Sequence, residues 1–168
     1  MTNKSDTDIN IATNNNKSLS LIVIDDEKII TDFVVSVASK LGINADSIND
    51  AGMLEKHIDL INKSDMLFID LLMPGIDGIK LLNILSQIKC QSQIVLISGK
   101  GQRILEKTMS IGNNNGLNII KVLQKPFYGL ELTEIIKQFI EDNTRIQDKE
   151  SHLKQAYEPV LTNLLSLR

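Results

Sequence analysis

The stretch Phe68-Ile69-Asp70-Leu71-Leu72-Met73-Pro74-Gly75-Ile76-Asp77-Gly78 decides the fold. An apolar run ends on one carboxylate and turns at once into a Pro/Gly loop, the pattern of a buried strand that delivers an acid at its carboxyl end. Other runs end the same way. Leu19-Ser20-Leu21-Ile22-Val23-Ile24 stops at Asp25 and Asp26, the run from Ile94 to Ile97 stops at Ser98, and the run from Ile119 to Leu123 leads into Lys125. A further strand-like run covers 43–48. Between the runs lie helix-length stretches. Residues 28–41 carry Ile29, Ile30, Phe33, Val34 and Val37 at helical spacing, closed by Gly42. Stretches 54–61, 79–88, 102–111 and 130–141 behave alike. Five strand–helix units in strict alternation predict an α/β domain, a five-stranded parallel sheet with helices on both faces. Ligands of such sheets bind beyond the carboxyl ends of the strands, where Asp25, Asp26, Asp70, Ser98 and Lys125 all fall.

At 168 residues and 42% hydrophobic, the chain is long enough for one domain with a sizeable core. Its 18 basic and 21 acidic residues give a net charge of −3, and no basic patch offers a nucleic acid or an anionic membrane a purchase. No apolar run approaches the roughly 20 residues of a membrane span. Cys90 is the single cysteine, which rules out an intrachain disulfide and suits a reducing, cytoplasmic setting. Residues 1–18 are rich in Asn, Ser, Thr and Asp, without the apolar segment of a secretory signal, and read as a disordered polar tail.

Three carboxylates at one sheet edge repel one another unless a cation joins them. Magnesium, held by one or two carboxylates plus waters and a substrate phosphate, is the natural candidate, with Lys125 as a second positive charge. A carboxylate beside a metal and an ammonium can attack phosphorus to give an aspartyl phosphate. Ser98 then offers one hydroxyl donor and Lys125 a point charge to the phosphoryl oxygens.

The set Asp25-Asp26, Asp70 followed by Met73-Pro74 and Asp77-Gly78, Ser98-Gly99 and Lys125-Pro126-Phe127 resembles the receiver domain of two-component response regulators, over residues 19–142. The resemblance implies a flavodoxin-like, doubly wound fold and a phosphorelay role. Asp70 would accept a phosphoryl group from a histidine kinase or phosphotransfer protein. Asp25, Asp26, Asp70 and the Leu72 backbone carbonyl would hold Mg2+, Ser98 would be the switch hydroxyl, and Lys125 would pair with Asp70 before transfer and with the phosphoryl group after it. It also implies a cis Lys125–Pro126 bond.

Three features depart from the common family pattern. Val122 stands where an aromatic switch residue is frequent, and Gly99 follows the switch hydroxyl where Ala is common. The segment from Ser98 to Lys125 is longer than usual, with Gly112-Asn113-Asn114-Asn115-Gly116 as a turn-rich insertion. The last two resemble receivers often fused to cyclic-dinucleotide phosphodiesterase domains.

Other residues read blandly. Asp77 is a turn or helix-cap residue. Gly99-Lys100-Gly101 lacks the spacing of a phosphate-binding loop. His57 and His152 lie on polar helical stretches without metal-ligand partners and should face solvent. Cys90 fills space before a strand. The last 26 residues, 143–168, are too few for a separate output domain and read as a helical extension. Leu132, Ile136, Phe139, Ile146, Leu153, Tyr157, Val160, Leu164 and Leu167 follow a 3.5-residue repeat, suited to a dimerisation or partner-docking helix or to folding back on the domain. Pro159 should break the helix near Ala156. Two functions compete: a phosphorylation-controlled switch, and a phosphorylation-independent adaptor or dimerisation module acting through that helix. An enzyme would want a second acid two residues after Asp70, where Leu72 stands, so slow self-dephosphorylation at most is expected.

Overall fold

Along β1 (Ser20–Ile24), Leu21 and Val23 face one way and Ile22 and Ile24 the other, and all four are buried. A strand apolar on both faces must be covered on both. In the computed structural model, which describes residues 18–99 and 102–165, it lies inside a five-stranded sheet. Residues 1–17, Lys100, Gly101 and 166–168 fall outside that range, and with them the expected disordered tail except Ser18, and the last position of the apolar repeat, Leu167. The other strands are β2 (Asn44–Ile48), β3 (Met66–Asp70), β4 (Gln93–Ser98) and β5 (Asn118–Gln124). They are all parallel in the order β2-β1-β3-β4-β5, so the chain reverses its direction of travel between β1 and β3.

Helices α1 (Lys28–Lys40) and α5 (Gly129–Leu165) cover one face, packing Val34, Ala38, Leu132, Ile136 and Phe139 against Leu21, Val23, Phe68 and Ile97. Helices α2 (Ile58–Lys63), α3 (Gly78–Gln87) and α4 (Gln102–Asn114) lie on the other, where Ile61, Leu81 and Leu85 meet Ile22, Ile24, Leu67 and Ile69. Gly42 ends α1 with a φ of 81°, the left-handed conformation that glycine adopts without strain.

Four expectations need correction. The helix expected over 54–61 begins at Ile58, after two short 3-10 turns, Ala51–Met53 and Glu55–His57. Asp50 Oδ1 accepts the Gly52 amide at 2.8 Å, a local bond that competes with helix. His57 is only half exposed, with Nδ1 2.8 Å from the Met53 carbonyl, so it closes these turns rather than facing solvent. The 112–116 insertion is mostly not a turn, because α4 continues through Asn114 and only Asn115-Gly116 turn. A Cβ on Gly112 would collide with Ile119 Cδ1, so glycine there serves close packing of α4 on β5. Asn113 accepts the Ile119 amide at 2.9 Å and covers part of the sheet edge. Finally, α5 is continuous through Pro159. A proline removes one amide bond and crowds the carbonyl four residues back, which a long helix can absorb as well as end at.

Candidate functional site at the carboxyl edge of the sheet

Asp70 ends β3 in register with Ile97 of β4, so its carboxylate stands at the strand's carboxyl end, 3% exposed. The chain turns immediately. The Leu72 amide donates to Asp70 Oδ1 at 2.9 Å, and Leu72–Met73 pairs with Ile76–Asp77 as a two-residue ribbon around Pro74-Gly75. Gly75 has a φ of 83°, as the third residue of a type II turn requires. Gly78 opens α3 directly against this turn: an added Cβ would lie 2.6 Å from Leu71 Cα. Asp77 lies in the ribbon, immediately before α3.

Asp25 follows β1 and is fully buried. Its Oδ1 accepts the Glu27 amide at 2.9 Å, and its backbone carbonyl accepts from Asn49 Nδ2 at 3.0 Å. Asp26, beside it, is exposed. Each of Asp25, Asp26 and Asp70 offers a carboxylate oxygen, and these oxygens lie within 4.8 Å of one another. Lys125 reaches in from the end of β5 and sets Nζ 2.8 Å from Asp70 Oδ2, 2.8 Å from Asp25 Oδ2 and 2.7 Å from Glu27 Oε1. The bonds to Asp70 and Glu27 are directed, whereas the approach to Asp25 Oδ2 is close but misaligned. That oxygen is buried without a directed donor. A hard cation is the partner it lacks, and a donor set made only of carboxylates suits one.

Electrostatics follow from burial. Desolvation raises the Asp25 carboxyl above its ordinary value despite the nearby Lys125 ammonium and the hydrogen bond from the Glu27 amide. For Lys125 burial works downward, but the carboxylates of Asp25, Asp70 and Glu27 outweigh it and hold the ammonium well above its ordinary value. It is therefore a fixed positive charge.

Ser98 ends β4, buried, one residue beyond Asp70's register partner, and its carbonyl accepts the Lys125 amide at 2.9 Å. All five strand-end residues singled out in the sequence thus come to one edge. The Lys125–Pro126 bond is cis, as the family resemblance implies. Val122 is half-buried and packs into the core with α2, α3 and α4, and nothing crowds the position of a Cβ on Gly99. Cys90 is buried, donating to Ser92 Oγ at 3.3 Å. His152 is exposed.

Two participants escaped the sequence reading. Glu27 directly follows Asp25-Asp26, and a third acid in the run was the available signal. Asn49 follows β2 as the acids follow β1, and its Nδ2 also donates to Thr31 Oγ1 at 2.7 Å, fastening the start of α1 beneath Asp25. A cavity of about 440 Å³ between β5 and α5, lined in part by Lys121, Glu131 and Glu134, shares no residue with this cluster.

Residues 21–137 match the profile of the response regulator receiver domain. The chain is similar to the transcriptional regulatory protein YvrH of Bacillus subtilis, 25% identical over 143 residues that make up 84% of this chain and 56% of that protein. It therefore spans about half the length of that curated relative. Among solved structures it resembles the receiver domain of the Francisella response regulator 1452, with a TM-score of 0.61 and 25% identity over 75% of this chain and 99% of that one. It also resembles the signal receiver domain of an HD domain-containing protein from Pseudomonas fluorescens, with a TM-score of 0.63 and 20% identity over 77% and 99%.

Proposed function

The chain belongs to the response regulator receiver domain family, and on that premise we propose that it is a phosphorylation-controlled switch in which Asp70 accepts a phosphoryl group from a histidine kinase or phosphotransfer protein. The observation that carries this reading is a buried carboxylate at a strand end, held at 2.8 Å by a fixed ammonium and flanked by two further acids. In the transfer, the Asp70 carboxylate forms an O–P bond while the donor's P–N bond breaks. The electron pair returns to the imidazole nitrogen, which leaves neutral when the other ring nitrogen carries a proton. Asp25, Asp26 and Asp70, with the Leu72 carbonyl, would hold Mg2+, which when bound neutralises charge on the phosphoryl oxygens. Lys125 supplies the second positive charge and Ser98 a hydroxyl donor. With Leu72 two residues after the acceptor, no second acid is placed there to activate water, and turnover is confined to slow self-dephosphorylation. The phosphoryl group shifts a two-state equilibrium and thereby changes partner binding.

Borohydride reduction tests the assignment, since it converts an aspartyl phosphate to homoserine. After incubation with Mg2+ and acetyl phosphate, peptide mapping should find homoserine at position 70. Homoserine at another acid, with Asp70 intact, would refute the acceptor.

One observation favours a second reading, an adaptor or homodimer formed through the carboxyl-terminal helix. Beyond Asp142, α5 carries Ile146, Leu153 and Tyr157 exposed by 51%, 56% and 61%, spaced seven and four residues apart. Such a stripe suits a helical partner. As a phosphorylation-independent module it would compete with the switch, although the helix and the acid edge use different residues.

A further inference from the structure

Strand β2 ends at Ile48, and the residue after it closes on the loop that carries two of the acids. Asp25 is gripped there on both sides of its backbone. Its amide donates to the Ile48 carbonyl at 3.2 Å, and its carbonyl accepts from Asn49 Nδ2 at 3.0 Å. The Asn49 side chain thus supplies the bond that one more residue of a parallel ladder would have made. Its orientation is fixed by its neighbours. A carbonyl only accepts, so the atom facing Asp25 is the amide nitrogen. The second N–H of that nitrogen goes to Thr31 Oγ1 at 2.7 Å, whose own proton goes to the Lys28 carbonyl at 3.1 Å. Thr31 is buried, so Asn49 is braced against a fixed point of α1.

The Asp25 carbonyl lies in the peptide plane that joins Asp25 to Asp26. Turning that plane moves the Asp26 side chain, which is exposed and placed chiefly by the backbone it shares with Asp25. The arrangement needs holding, because carboxylate oxygens of Asp25, Asp26 and Asp70 lie within 4.8 Å of one another. Lys125 offsets only part of their repulsion: its ion pairs reach Asp25, Glu27 and Asp70, and not Asp26. With the carbonyl released, the loop relaxes by swinging Asp26 outward, and a cation must then draw it back at a cost in affinity.

We propose that Asn49 is a positioning residue for the metal site, clamping the Asp25–Asp26 peptide so that both acids stand ready for Mg2+ before the ion arrives. The inference rests on the reading of Asp25, Asp26 and Asp70 as the Mg2+ site of a phosphoacceptor. Asn49 acts through the Asp25 carbonyl, so its contribution is to the affinity for the ion rather than to the transfer step.

Asn49 is exposed and fills no core volume, so Asn49→Ala should fold, which a metal-free melt checks. The full chain is titrated with Mg2+ and followed by NMR at the Asp25 and Asp26 amides. Asn49→Ala is expected to raise the Mg2+ dissociation constant about three- to tenfold, near the lower end for an outer partner of a metal ligand. At saturating Mg2+ its labelling by acetyl phosphate should stay within about twofold of wild type. Asn44→Ala removes a 3.1 Å bond to Ser18 Oγ at the far end of the same strand, controls for general loosening of β2, and should leave Mg2+ affinity unchanged. In the wild type, the Asn49 side-chain amide protons should exchange slowly with water. An unchanged dissociation constant in Asn49→Ala, an equal loss in Asn44→Ala, labelling that stays low at saturating Mg2+, or fast exchange of the Asn49 amide protons would overturn the clamp. The titration does not depend on phosphorylation. A wild type that binds Mg2+ without labelling refutes Asp70 as acceptor while the clamp stands or falls on the dissociation constants, whereas one that binds no Mg2+ overturns both.

Discussion

Asp25 is the residue on which the electrostatics of the site turn. Burial raises its carboxyl above the ordinary value, so the folded chain binds a proton there more tightly than the unfolded chain does. Protonation of Asp25 therefore favours the fold. Its ionised form costs stability, an expense that begins as pH rises through the ordinary carboxylate range and is complete above the raised value. Asp25→Asn should accordingly raise the melting temperature in metal-free buffer at a pH above that raised value, by about 2–4 °C for each kcal/mol recovered. The same variant should lose the rise in melting temperature that Mg2+ gives the wild type, because binding to the folded state alone is stabilising. Acidification should weaken Mg2+ binding to the wild type, since protons compete for the same oxygens. Thermal melts with and without Mg2+ across pH check all three, and an Asp25→Asn chain less stable than wild type without metal would contradict this account of the buried oxygen.

Elements show why some features were legible and others not. The central strands announce themselves because burial on both faces demands near-continuous apolar runs, and each ends on the polar group it presents. The edge strand β2, Asn-Ala-Asp-Ser-Ile, is mostly exposed or half-exposed, so the same device at its end, Asn49, carried little signal. Glu27 was hidden for another reason. Its partner is 98 residues away, and local pattern says nothing about a reach of that length. Gly112 read as a turn because glycine usually breaks helices, whereas here the missing side chain admits Ile119. In α5 the apolar repeat was visible throughout, but the sequence of a helix that ends at proline resembles that of one that continues. The first part of the repeat, Leu132, Ile136 and Phe139, is buried in the domain. The later part is exposed as far as Tyr157. If that part pairs with a second copy, sedimentation of the full chain should show a concentration-dependent dimer that Leu153→Lys dissociates. A chain that stays monomeric at high concentration would exclude self-pairing.

Across the whole molecule, the order β2-β1-β3-β4-β5 places the strand-end residues at one edge and leaves the exposed part of α5 free of that chemistry. Topology explains the convergence: parallel strands all finish at the same side, so acids that are 45 residues apart in sequence, Asp25 and Asp70, become neighbours. Among the described residues no helix is long and apolar enough to cross a membrane. The central claim is that Asp70, with Mg2+ and Lys125, accepts a phosphoryl group. It is tested most directly by intact-mass spectrometry of the full chain after incubation with Mg2+ and acetyl phosphate, beside Asp70→Asn and a magnesium-free control. One phosphoryl increment on the wild type, absent from Asp70→Asn and from the control, is the predicted result. An increment that persists in Asp70→Asn, or a folded, magnesium-binding wild type that gains none, would contradict it.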